Sequence, residues 1–335
     1  MILKAFKLAL LSVNVLFFWL AAWFVLEYRA PLITFGEPVF FEVEKGWGMG
    51  AVARRLEEDG LIRRRETFLA AYFLFHSPRG PKAGEYRFTS PVRMHALLES
   101  LTAGRVHLHP VTVPEGLTGM EIASLLEEKG VLAARDFLDA FSRTELISDW
   151  DPEAPDLEGY LFPETYHFTK NSEADETAAR MVGQFKSAFD SGRRRRAEEM
   201  GRPIRDIVIL ASLIEKETSL PEERELVSAV FHNRLKIGMK LDCDPTIIYA
   251  LKREGGFDGD LKYRDLRLDN PYNTYRYSGL PPGPICNPGR EALEAALFPA
   301  SEPFLYFVSK NDGSHHFSLN YREHRDAVRK FQQRR

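Results

Sequence analysis

Cysteine is nearly absent. Cys243 and Cys286 are the only two in 335 residues, which excludes a disulfide-stapled scaffold and a Cys-rich zinc site. Sequence leaves open whether the two bond to each other. Charge of one sign is also missing. A net charge of −3 gives no basic field for nucleic acid. The basic run Arg193–Arg196 lies in a polar stretch and reads as a solvated helix or loop surface. The nine histidines show no HExxH and no other ligand spacing, so neither a metal nor another cofactor is expected. What remains is ordinary for folded protein: 44% apolar and 12% aromatic residues, enough for packed cores and for sugar-stacking surfaces. The length suits two or three domains.

Leu8–Leu26 is LALLSVNVLFFWLAAWFVL, nineteen uncharged residues. That length suits one crossing of a ~30 Å hydrocarbon core. Lys4 and Lys7 precede it, which favours a cytoplasmic N-terminus and places residues after about 28 outside. A cleaved signal peptide is the rival, but no small-x-small cleavage site follows Leu26. The expected order is a tail at 1–7, an anchor at 8–27 and a linker at 28–37.

An internal repeat follows. Val43-Glu-Lys-Gly46, Val52-Ala53, Leu56-Glu57-Glu58 and Gly60-Leu61 recur without a gap as Val113-Pro-Glu-Gly116, Ile122-Ala123, Leu126-Glu127-Glu128 and Gly130-Val131. Each copy reads as a strand, a turn at Gly, an amphipathic helix, a Gly stop and a second helix. The helix stripes are Met49, Val52 and Leu56, then Ile122, Ala123, Leu125 and Leu126. Gly84–Phe88 alternates like a strand, and Met94–Leu101 reads as a helix. Pro110 argues for an edge position within Val106–Val113. Such modules suit polymer binding or pure scaffolding equally. The Pro- and Asp-rich segment Asp151–Asp156 suggests a boundary or hinge.

The chemistry centres on Ile207–Thr218, IVILASLIEKET. At ~100° per residue, Glu217 falls within about 50° of the centre of the apolar side. Glu215 lies at its edge and Lys216 nearly opposite. A carboxyl on a buried face has a raised pKa, as a general acid requires. A solvated helix end is the ordinary alternative. Pro221 ends this helix. Glu222–Ile237 forms another, with Leu226, Val230 and Leu235 as its core side.

From Asn233 to Pro288 polar residues are held by Gly and Pro, which fix loops and lower the entropy cost of presenting side chains. The stretch contains Asn233, Asp244, Thr246, Tyr249, Tyr272, Asn273, Thr274, Tyr275, Pro281 and Asn287. Tyr and Asn suit sugars. A rigid structural loop is the alternative. Phe304–Val308 reads as a strand, with His315 and His316 after it.

Together, Glu215-Lys-Glu-Thr218, Asn233-Arg-Leu235, Gly238-Met239, Asp244-Pro-Thr246, Tyr272-Asn-Thr-Tyr275, Gly279-Leu-Pro-Pro-Gly283, Asn287-Pro-Gly289 and His316-Phe317 resemble the endolytic murein transglycosylases of the MltG (YceG-like) family. Gly84–Phe88 and Leu161-Phe-Pro-Glu-Thr-Tyr166 match as well. The order and spacing of these stretches carry the resemblance. It implies an α+β chain: a single N-terminal transmembrane helix, a LysM-like β-α-α-β region at 38–145 facing the cell wall, and a mainly helical catalytic domain with a few strands at 146–335. It implies a single-pass inner-membrane protein with the catalytic domain outside the cytoplasm. The expected activity is cleavage of the β-1,4 bond from MurNAc to GlcNAc inside nascent peptidoglycan strands, giving 1,6-anhydro ends. The expected partners are glycan strands and the strand-synthesising enzymes. The family's catalytic acid falls on Glu217, with Glu215 as a secondary candidate. The substrate-binding set is Asn233, Asp244, Thr246, Tyr249, Tyr272, Asn273, Thr274, Tyr275, Pro281, Asn287 and His316. Two rivals stay open: a muramidase using Asp244 as second carboxylate, and a non-catalytic wall-binding scaffold.

Overall fold

A computed structural model of the chain describes residues 2–29, 31–33 and 36–332, with side chains described from residue 10 onward except those of 31–33. The side chains of Lys4 and Lys7, and residues 30, 34 and 35 of the expected linker, lie outside the described set. The chain divides into two compact units, Met1–His109 and Pro110–Arg335.

The first unit begins with helix α1 (Ile2–Arg29). Its segment Leu10–Arg29 is long and apolar enough, by length and composition, to cross a membrane. Strand β1 (Pro31–Ile33) pairs antiparallel with the short β4 (Val92–Arg93). Strand β2 (Val39–Val43) leads to helices α2 (Met49–Glu58) and α3 (Arg65–Phe75), and then to β3 (Gly84–Phe88), which pairs antiparallel with β2. Helix α4 (Met94–Ala103) closes the unit. The period of two along the strands turns Phe41, Val43, Tyr86 and Phe88 inward. These meet Val52 and Leu56 of α2, Phe68 and Ala71 of α3, and Leu97, Leu98 and Leu101 of α4 in one core.

The second unit repeats the motif. Strand β5 (His109–Thr112), helices α5 (Gly119–Glu128) and α6 (Ala134–Phe141), and strand β6 (Thr165–Phe168) follow in order, and β5 pairs with β6. Helices α7 (Ala174–Ala188), α8 (Ser191–Glu199), α9 (Ile204–Glu217), α10 (Pro221–Lys236), α11 (Asp244–Arg253) and α12 (Arg290–Leu297) come next. The antiparallel hairpin β7 (Tyr306–Ser309) and β8 (His315–Ser318) and helix α13 (Tyr321–Phe331) end the unit. All four sheets among the described residues are two-stranded, so the chain mixes helices with a few strands, in keeping with the α+β expectation.

The two copies share their helix stops in atomic detail. Gly60 and Gly130 have φ of +71° and +67°, a left-handed conformation that only glycine adopts cheaply. In each copy the next N–H bonds back to the helix: Leu61 to the Leu56 carbonyl at 2.8 Å, and Val131 to that of Leu126 at 2.9 Å. This satisfies carbonyls that the helix end would leave bare. Of the two, only α5 has a capping box, Thr118 with Glu121.

The sequence reading ran the repeat region to 145, whereas the units divide after His109. The reason lies in the core. Val111, Val113, Ile122, Leu126 and Val131 of the second copy pack with Tyr160, Phe185, Leu210 and Leu213, so this copy belongs to the second unit. Asp151–Asp156 is likewise no hinge. Asp151 is buried and accepts bonds from Tyr160 Oη at 2.7 Å and Arg205 Nη1 at 2.8 Å. Asp156 accepts one from Arg253 at 2.7 Å. Helix α10 also differs from its expected face. Val230 is buried, but Leu226 and Leu235 are only half-buried, and Val227 and Phe231 supply the rest of the apolar contact. Its buried charges are Glu223, Arg224 and Arg234.

One glycine tests this packing. At Gly159 (φ +87°) an added Cβ would come within 2.5 Å of the Pro284 ring and 2.8 Å of Val208 on α9. Gly159→Ala should lower unfolding stability by ~1–3 kcal/mol from overpacking alone. Gly183→Ala, at an exposed α7 position with nothing within 4 Å, should raise it by roughly 0.5–1 kcal/mol. Thermal or denaturant unfolding of the full chain in detergent checks both signs.

Candidate active site

Helix α9 is buried on every side from Ile207 to Ile214. A helix apolar all round needs neighbours all round, and α8, α10, α11 and α12 supply them. Ser212 is the polar exception. Its hydroxyl donates to the Ile209 carbonyl at 2.7 Å and accepts from the Ile285 N–H at 3.1 Å. The helix ends at Glu217 because Thr218 is extended and Pro221 starts α10. The last residue of the core helix therefore emerges where the packing stops.

It emerges into a cavity of about 450 Å³. The walls are Glu217, Arg234 of α10, Leu241 and Asp242, Asp244 at the start of α11, Tyr275, residues 306–309 of β7, His315 of β8, and Tyr321, His324 and Val328 of α13. Polar groups are held by specific partners. Tyr275 donates to Asp244 Oδ1 at 2.7 Å. Arg234 donates to the carbonyls of Leu305 and Leu241, both at 2.7 Å, and lies over the Tyr306 ring at 5.2 Å. His315 Nδ1 sits 2.6 Å from Glu223 Oε2, and the His315 N–H donates to Glu223 Oε1 at 2.8 Å. Asp242 is held at φ +47°, a costly conformation for a residue with a side chain.

Burial pushes the Glu217 carboxyl up to about 7, from an ordinary 4.5. The Cys243 thiol bonds to it and opposes the rise, Asp244 adds to it, and His315 and Arg234 oppose it. Its place at the C-terminal end of α9 acts in the same direction as burial, since carbonyl dipoles there disfavour an anion. Burial also pushes the Cys243 thiol well up. Cys243 and Cys286 are both buried and unbonded to each other.

Glu215 has a different setting. It accepts the Gly289 N–H at 3.0 Å and lies 3.6 Å from Arg224. Burial raises its pKa, while these two partners oppose the rise. It does not line the cavity. Lys216 points elsewhere again, donating to the Gly116 carbonyl at 3.2 Å.

Of the residues expected from sequence, Glu217, Asp244 and Tyr275 meet in the cavity. The rest serve elsewhere. Asn233 donates to the carbonyls of Glu302 and Phe304, both at 2.9 Å. Asn273 spans its own loop, donating to Leu266 and Leu268 and accepting from the Tyr275 N–H at 3.0 Å. Thr246 and Thr274 are buried 3.1 Å apart, and Thr274 accepts the Cys243 N–H at 3.0 Å. Asn287 accepts the Leu161 N–H and donates to Glu158 and the Leu117 carbonyl. Tyr249 donates to Glu158 at 3.2 Å. Pro281 is buried, and Tyr272 lines a separate cavity of about 390 Å³ with Arg253 and Pro282. His316 is exposed, its ring 5.7 Å from that of Phe331.

Sequence reasoning missed Arg234, Asp242, Tyr306 and His315 as cavity residues. His315 had a signal in the His pair, but the pairing with Glu223 is 92 positions distant. It also passed over His107 and His109, an i,i+2 pair. With Glu85 they form the one group of three potential metal ligands found among the described residues. It lies in the first unit, where Glu85 Oε2 is 2.7 Å from His109 Nε2.

Comparison with known proteins shows the family. A model of the YceG-like family matches residues 41–330. The endolytic murein transglycosylase of Bacillus subtilis is 30% identical over 312 residues, covering 88% of this chain and 84% of that protein. The endolytic murein transglycosylase of Streptococcus pneumoniae serotype 2 is 28% identical over 316 residues, covering 84% of this chain but only 56% of that longer protein. A crystal structure of a yceG-like protein from Listeria monocytogenes superposes with a TM-score of 0.60 at 28% identity, covering 87% of this chain and 98% of that one.

The electrostatics of Glu217 have a stability consequence. Its folded-state pKa of about 7 lies above the ordinary 4.5. The proton therefore favours the fold; its contribution is full below 4.5 and is lost as pH rises through about 7. Glu217→Gln mimics the protonated form at every pH. Its Tm should match that of the parent near pH 5 and exceed it at pH 8. Melting curves across that range check the sign; a gap that shrinks with rising pH would contradict a raised pKa.

Proposed function

Because the chain belongs to the YceG-like family, we propose that it is a lytic transglycosylase that cuts glycan strands of peptidoglycan internally, with Glu217 as its acid. One observation carries the reading: the half-buried Glu217 carboxyl, pushed up to about 7, faces a cavity lined by an arginine, two histidines, two aspartates and tyrosines. A carboxylic acid with that pKa holds its proton in a large fraction of molecules near neutrality.

Glu217 protonates the oxygen bridging MurNAc and GlcNAc, and the bond to C1 breaks. The substrate's own acetamide can shield the positive charge that develops there, as in substrate-assisted glycosidases. Glu217, now a carboxylate, takes the proton from the C6 hydroxyl. That oxygen closes on C1 and forms the 1,6-anhydro ring. No water enters, and one carboxyl serves both steps. The Cys243 thiol, Arg234 and His315 favour the anion between the steps. The Glu223 pairing fixes the His315 ring, and Tyr275 fixes Asp244.

A muramidase remains the second reading because Asp244 lines the same cavity as Glu217 and could direct a water. Helix α1 is the candidate anchor, with its N-terminus cytoplasmic and the residues after it outside the inner membrane. The self-contained β2-α2-α3-β3 copy is the LysM-like candidate for holding glycan. Synthases of the same strands are the candidate partners.

Product analysis decides between the readings. Muramic ends should be 1,6-anhydro, one water lighter than hydrolysis products, resistant to borohydride and unlabelled after digestion in ¹⁸O water. Labelled, reducible ends would replace the transglycosylase with the muramidase. Glu217→Gln should lose ~10²-fold or more in turnover. Glu215→Gln should lose much less turnover and show its cost in stability.

A further inference from the structure

Helix α3 ends in three consecutive large apolar residues that protein does not cover. Phe73, Leu74 and Phe75 are 66%, 66% and 57% exposed, while Phe68, Ala71 and Tyr72 of the same helix are buried. Single exposed apolar side chains are common and need no explanation. Three adjacent ones at a helix end form a patch that water disfavours.

The patch lies beside the end of α1. The Phe75 ring lies 5.0 Å from that of Tyr28 and 6.3 Å from that of Phe24. Tyr28 also sits 3.4 Å from His76, the residue after α3. Phe24 and Tyr28 are in the last turns of α1, whose Leu10–Leu20 side chains are likewise bare. At 1.5 Å per residue, Tyr28 stands about 27 Å along the helix from Leu10, close to the ~30 Å thickness of the hydrocarbon core. A side chain beside Tyr28 is therefore at the outer edge of that core, where aromatic rings are favoured.

We propose that Phe73, Leu74 and Phe75 dip into the outer leaflet and give the first unit a second point of membrane attachment. This rests on the reading of α1 as a bilayer span. The occupant is lipid, at the boundary of headgroups and acyl chains. A single helix leaves the unit free to swivel about the helix axis. Adding the end of α3 fixes both the height of the unit and its rotation above the bilayer.

The test uses the full chain in phosphatidylcholine liposomes, with a nitroxide attached at one introduced cysteine. Both native cysteines are buried, so labelling is selective. The labelled variants are L74C, L16C within α1, and R54C on the exposed face of α2. Relaxation by oxygen reports lipid, and relaxation by a water-soluble nickel chelate reports water. At position 74 the oxygen-to-nickel ratio should exceed that at 54 several-fold and fall below that at 16. A watery reading at 74 with a lipid reading at 16 overturns the docking and keeps the span. A watery reading at 16 removes the span itself. Protection from both agents at 74 shows protein there, a second copy or another chain, and also overturns the proposal.

Discussion

The constraint on which the second unit depends is the complete burial of α9 from Ile207 to Ile214. A helix whose middle offers no face to water can sit only at the centre of a core, and its ends must then come out at fixed points. Here the last residue is Glu217. The carboxyl is raised toward neutral pH by the same burial that fixes its position. Position and protonation thus have one cause. Moving the acid one turn outward would solvate it and return its pKa to the ordinary range.

Holding that end still is the task of residues that never reach the cavity. Lys216 reaches the Gly116 carbonyl, and Glu215 accepts the Gly289 N–H. Asn287, beside Gly289, bonds Leu117, Glu158 and Leu161. Glu158 in turn accepts the Gly119 N–H at the start of α5, and Glu121 in that first turn meets Lys252 of α11 at 2.8 Å. The second repeat copy has thereby become part of the scaffold of the site. The first copy kept a core of its own. Two copies of one motif separated in role according to what each was given to pack against.

This division explains what could be seen in the sequence. The repeat, the apolar N-terminal helix, the core helix and Glu217 were all legible, because each is written in local periodicity or in glycine spacing. The cavity walls were not. Asn233 and Arg234 are neighbours on a helix, and about 100° separates their side chains; the arginine faces the cavity and the asparagine braces a loop. His315 and His316 are neighbours on a strand, where one step reverses the face. Sequence does not say which face of a two-stranded hairpin meets a ligand. Polar residues amid Gly and Pro were read as sugar contacts, yet Asn273, Thr274 and Asn287 spend their bonding groups within the protein, largely on backbone. A loop with little regular structure must satisfy its own N–H and carbonyl groups, and such side chains are the available means.

The surroundings of Glu217 also bear on why its pKa lies near 7 rather than higher. The proposed reaction asks the group for a proton first and for a free carboxylate afterwards. A purely apolar pocket would secure the proton but make the anion costly, and the second step would inherit that cost. A solvated site would favour the anion and leave no proton to give. Burial and Asp244 act on one side of this balance; the Cys243 thiol, His315 and Arg234 act on the other. Acid and base efficiency are jointly greatest when the pKa lies near the working pH, so a single group that alternates between the roles needs burial to outweigh the influences that favour the anion, but only in part. An enzyme with two carboxyls can divide them, one kept neutral and one kept ionised. Where one carboxyl serves both steps, the division has to be made within its own surroundings, and the mixed polar and apolar walls of this cavity supply influences of both kinds.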